Sequence, residues 1–177
     1  RLRGQVGTDA LIPPVWPRGS RFVLLNDMPA QIASSPNLRQ VNQQYRIGPA
    51  TRSYDDPSYI QHSAAFEGNG LRPLRPCHLQ ARVETEDVIF NWIRRTRVGG
   101  DSWDSFEVPL AEENEQYSVR LLQDGKIFRE AITTDPVWRY DAQTRLIDGV
   151  MGAFALSVAQ ISASYGAGPA AQISVAL

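Results

Sequence analysis

The sequence of 177 residues holds one cysteine, Cys77, and two histidines, His62 and His78. A single thiol excludes an internal disulfide, and these three side chains are too few for a Cys/His zinc site. Lysine is almost missing too: Lys126 is the only one, so the basic charge is nearly all arginine. Arginine suits bidentate pairing with carboxylates and stacking on aromatic rings, as at protein interfaces and sheet surfaces, although genomic base composition produces the same bias. A net charge of -1 exerts no global pull toward nucleic acid or an anionic membrane. No apolar run approaches the roughly 20 residues that cross a bilayer, and no signal-peptide pattern is visible. There are no internal repeats, no low-complexity tract and no long run of like charge.

With 42% hydrophobic residues the chain can bury a real core. The pattern changes near residue 75, which predicts two small β domains. Residues 1–75 contain short strand candidates, RLRGQVGT, RFVLLND and QQYRIG, separated by the breakers IPPVWP, ASSPN and YDDPS. No window there carries a helical apolar stripe for three turns; the nearest, QIASSPNLRQVNQQY, is interrupted by Pro36. The expectation is an irregular β domain, completed by upstream sequence, because the chain opens at Arg1 inside a strand-like segment and without a methionine. On that reading it is the carboxy-terminal portion of a longer or processed polypeptide. EGNGLRPLRPCHL is the junction, with Pro73 and Pro76 stiffening an extended connector.

Residues 76–177 alternate at period two. Val88, Phe90 and Trp92 share one face of DVIFNW; Tyr117, Val119 and Leu121 share one face of EQYSVRLLQDG; Phe154, Leu156 and Val158 follow, then a turn at Tyr165 to Gly168 and a closing strand through Ile173 and Val175. Period two means strands with one buried face, and the turns between them mean antiparallel neighbours. The order resembles a fibronectin type III module: a core Trp on the second strand, a Tyr-x-Val strand after it, and a GxG-like turn before the last strand. Such modules usually bind or space rather than catalyse. Two departures stand out. Phe154 occupies the place of the corner tyrosine, and Gln160 brings an amide to the core that demands a partner. Cys77 is expected to be a small buried residue at the first strand.

The candidate partner-binding residues are Arg94, Arg95, Arg97, Trp103 and Phe106, in the long polar insertion IRRTRVGGDSWDSFEVPLAEENEQ. Gly99 and Gly100 let the chain reverse there. Arginine beside an exposed tryptophan can stack a sugar, a nucleobase or a protein side chain. Equally, Arg94 and Arg97 can pair with Asp101, Asp104 or Glu107 while Trp103 caps the core. Asp101 and Asp104 lack the cleft of a glycosidase pair and the ligand run of a calcium loop. Glu112, Glu113 and Glu115 read as a solvated turn. No GxSxG elbow is present, and the neighbouring Cys77 and His78 point to opposite faces of a strand. No catalytic residue, cofactor or metal site is expected.

NGLRPLRPCHL, VIFNWIRRTRVGGDSWDSFEVPLAEENEQYSV and SVAQISASYGAG resemble the carboxy-terminal end of the large tail-tip hub proteins of siphovirus-like phages and alphaproteobacterial gene transfer agents. LRGQVGT and RFVLLND are similar to the segment that precedes it there. The resemblance implies a virion component at the distal end of the tail, typically trimeric, contacting other tail-tip proteins and serving assembly, attachment and DNA delivery. The upstream glycoside-hydrolase-like barrel of the gene transfer agents contributes no residue here. Two further readings stand beside it: a carbohydrate-binding module for envelope or capsule glycans, using Trp103 and the arginines, and the non-catalytic end of a wall-degrading enzyme.

Overall fold

A computed structural model describes residues 12–22, 30, 32–100 and 107–176. The chain divides into two units, with the boundary between Asn69 and Gly70.

In the first unit, strands β1 (Gln43–Ile47) and β2 (Ile60–Ala64) form an antiparallel hairpin in which Tyr45 lies opposite His62. The loop joining them folds onto Tyr59. Its ring sits where a Cβ on Gly48 would be, at 2.5 Å, and its hydroxyl donates to the Pro49 carbonyl at 3.0 Å. Of the three strand candidates read from the sequence, QQYRIG supplies β1. RLRGQVGT and most of RFVLLND lie outside the described residues. No described residue of this unit is fully buried.

The second unit is a β-sandwich. One sheet has the order β3 (Cys77–Glu84), β4 (Asp87–Ile93), β7 (Val137–Tyr140). The other runs β6 (Lys126–Thr133), β5 (Tyr117–Gln123), β8 (Phe154–Ser162), β10 (Ala171–Val175), with the two-residue β9 (Gly166–Ala167) pairing back onto β8. Every pairing is antiparallel. Three strands facing four in this order is the fibronectin type III arrangement, and the chain is all-β in class.

Alternation places the core. Val88, Phe90 and Trp92 from β4 and Tyr140 from β7 meet Tyr117, Val119 and Leu121 from β5, Phe154, Leu156 and Val158 from β8, and Val175 from β10. Aromatic edges lock the two sheets: Trp92 stands edge-on to Tyr117 at 5.2 Å between centroids, and Phe154 meets Tyr140 at 5.8 Å. Turn chemistry sets the register. Asp124 and Gly125, with φ of 52° and 75°, close the β5–β6 hairpin as a two-residue loop that needs both residues left-handed.

Sequence periodicity did not reveal β6, β7 or the helix α1 (Ala142–Asp148) that joins β7 to β8. The helix is capped at its start by Asp141, whose carboxylate accepts from the Thr144 amide, and at its end by Gly149 at φ 65°. Cys77 is half-buried rather than buried, because it shares the inward face of β3 with Leu79 and Ala81, and this whole face of the sheet's outer strand is only partly covered; its thiol lies 3.6 Å from the Ile93 carbonyl.

Candidate partner-binding surface

The candidate residues belong to the end of β4 and the connection from β4 to β5. Thr96 opens the connection with a local turn, its hydroxyl donating to the Val98 carbonyl at 2.9 Å. Gly99 takes φ 64°, and a Cβ on Gly100 would fall 2.8 Å from the Thr96 methyl, so this reversal needs glycine at both positions.

Arg94 and Arg97 are bound within the chain. The Arg94 guanidinium donates to the Val108 carbonyl at 2.8 Å and the Pro109 carbonyl at 3.1 Å, and lies 3.8 Å from Glu115. Arg97 donates to Glu112 at 3.0 Å, the Ala111 carbonyl at 2.8 Å and the Gly70 carbonyl at 3.2 Å. Together they fasten the returning half of the connection to the sheet end. Arg95 faces outward and is exposed. Trp103 and Phe106 lie outside the described residues, as do Asp101 and Asp104.

The acidic group differs from its sequence reading. Glu113 is solvated, but the Glu112 side chain is only 2% exposed, paired through one oxygen to Arg97 while the other has no partner among the described residues. Glu115 accepts from the Tyr117 hydroxyl at 2.6 Å. Burial, then this carboxylate, push the Tyr117 phenol well above the usual tyrosine range. The turn is folded inward because two arginines reach it, Arg94 toward Glu115 and Arg97 toward Glu112. Ala111 adopts φ 62°, a costly conformation for alanine that turns its carbonyl to Arg97.

Gln160 does bring an amide into the core. It is 1% exposed, and among the described residues its Oε1 and the buried Trp92 indole nitrogen have no hydrogen-bond partner. Both flank Tyr117, Gln160 as its neighbour across the β5–β8 ladder and Trp92 as its ring partner.

A second polar cluster, at the opposite end of the sandwich, went unread in the sequence. Asp148 at the end of α1 accepts two bonds of 2.5 Å from Arg129 and one of 2.7 Å from the Tyr140 hydroxyl. Arg129, then Tyr140, hold the Asp148 carboxyl below its ordinary range. Asp141 and Gly149 were the available signal, marking the start and stop of a short helix between them.

Among the described residues no group of three or more His, Cys, Asp or Glu side chains gathers to hold a metal ion. No described helix is long and apolar enough to cross a membrane.

No protein-family profile matches the sequence, and no curated protein matches it. Among solved structures, the chain is similar to domains d3–d4 of the rat CD45 extracellular region, with a TM-score of 0.45 and 12% identity over 94% of this chain and 80% of that one. It is similar to the chicken CNTN1 FN1–FN3 domains, with a TM-score of 0.40 and 10% identity over 67% of this chain and 35% of that one. The Clostridium perfringens spore cortex lytic enzyme SleM gives a TM-score of 0.39 and 8% identity, over 59% of this chain and 28% of that one. None of these reaches a TM-score of 0.5, and the fold assignment rests on strand order and register.

Proposed function

We propose that this chain is a structural, non-enzymatic module of a phage-like tail tip, part of a baseplate hub at the distal end of a virion or gene transfer agent particle. It contributes contacts to other tail-tip proteins and to copies of itself, and through them to tail assembly, host attachment and DNA delivery. The observation that carries the reading is the coherence of the stretch from Val88 to Val119 that resembles tail-tip hubs. Arg94, Arg97, Val108, Pro109, Ala111, Glu112, Glu115 and Tyr117 interlock as one folded connection. The physical effect of these bonds is to tie the described flanks of the connection, Arg94 to Gly100 and Val108 to Glu115, to one another at one end of the sandwich. Trp103, between those flanks in the sequence, is the residue type on which binding energy concentrates at interfaces.

The test is Trp103→Ala in particles and in the purified chain. On this reading the chain keeps its melting temperature while tail-tip assembly or attachment weakens by about 2 kcal/mol or more. A lowered melting temperature with normal assembly would make Trp103 a core cap and sink the reading. Binding of envelope glycan by the isolated chain, lost in the same variant, would replace it with a carbohydrate-binding module.

A further inference from the structure

The connector Gly70 to Pro76 is built into the sandwich. Pro73 and Pro76 are buried, and proline leaves no amide hydrogen to satisfy there. Behind Pro73 stands Gly168, in the turn before β10, where an added Cβ would fall 2.7 Å from the Pro73 carbonyl oxygen. At the other side Arg97 donates to the Gly70 carbonyl. The connector is thus a strap between the β8–β10 turn and the β4–β5 connection.

We propose that the strap and the β4–β5 connection are coupled through Arg97, so that a contact drawing the connection outward also releases the strap. One planar guanidinium serves both segments: Nε and one terminal nitrogen hold Glu112 and the Ala111 carbonyl, and the other terminal nitrogen holds Gly70. The fork is rigid, so its donors move together. Glu112 is buried, and its charge keeps the guanidinium in place; shifting Glu112 shifts Arg97, and with it the bond to the strap. Ala111 is held left-handed, a conformation that persists only where its surroundings enforce it. The segment 101–106, which carries Trp103, lies between the arginines and Ala111 in the sequence. Displacement of the described flanks of the connection therefore acts on the strap through one side chain.

Thermolysin, which cuts before leucine and valine, reads the coupling on the full chain. Gly168→Ala wedges the strap directly and identifies its release by cleavage before Leu71 and Leu74. Glu112→Gln touches no strap atom. Its expected effect is about a tenfold faster cleavage at those same two sites, compared with Val119→Ala, which loosens the core without touching Arg97. Glu112→Asp, which withdraws the carboxylate by one methylene and touches no strap atom, gives the same direction of change and serves if Glu112→Gln does not fold. Faster cleavage before Leu110 with the strap unchanged would overturn the coupling. So would cleavage rising equally along the whole chain.

Discussion

Arg129 on β6 grips Asp148 at the end of α1 through two near-parallel bonds, and in doing so turns the helix inside out: its carboxylate points inward while Leu146 and Ile147 are 80% and 74% exposed. Polar contacts, not apolar burial, seat this helix. Asp148→Ala strands the Arg129 guanidinium and the Tyr140 hydroxyl and is expected to cost about 2–3 kcal/mol. Leu146→Glu is expected to change stability by no more than about 0.5 kcal/mol. Urea titration of the two variants checks this; a larger loss from the leucine change would mean that α1 is seated by apolar packing after all.

Stability is expected to fall at both pH extremes. Asp148 is held low by Arg129, Asp87 by Arg139 and Asp141 by the Thr144 amide, so each folded-state pKa lies below the unfolded value of about 3.9. Such groups contribute fully above that value, and the contribution disappears as pH drops through the folded pKa. Tyr117 and Tyr140 are raised, chiefly by burial, so their contribution is present below the unfolded value of about 10 and declines as pH rises beyond it. Melting temperatures from about pH 2.5 to 11 should show a plateau between about 5 and 9. Asp148→Asn should flatten its acid side; an unchanged acid limb would remove Asp148 from this account.

Trp92→Ala empties a site shared with Tyr117 and is expected to cost about 3–5 kcal/mol. Equilibrium unfolding measures it, and a cost below about 1 kcal/mol would mean that the two sheets do not close over this indole.

Gln160→Met should be neutral or stabilising by about 1 kcal/mol, because the carbonyl it removes is buried and unpaired. If it destabilises instead, the amide has a bonding role in solution, such as an ordered water.

The core was legible because β4, β5 and β8 each bury one face, and an alternating face writes itself into sequence at period two. The edge strand β6 is different. A register shift where it meets Leu121 and Leu122 breaks the period, and Ile127 and Ile132 are exposed, so its apolar residues do not mark a buried face. Helix α1 hides for the opposite reason, since its apolar residues point away from the core. At the candidate surface, the grouping of Arg94 and Arg97 was visible but their bonding was not. Most of their acceptors are backbone carbonyls, which every residue carries and no residue type announces. Nor does EENE spelling out acidity reveal that Glu112 is drawn under Arg97.

Strand order has a mechanical consequence. The register places the start of β3 beside the end of β4, and the end of β10 beside the start of β8, so the first strand begins and the last strand finishes at opposite ends of the sandwich. Tension between those ends runs along the strands, while the ladder bonds lie across them. A load of that direction must shear many bonds at once and cannot peel them singly.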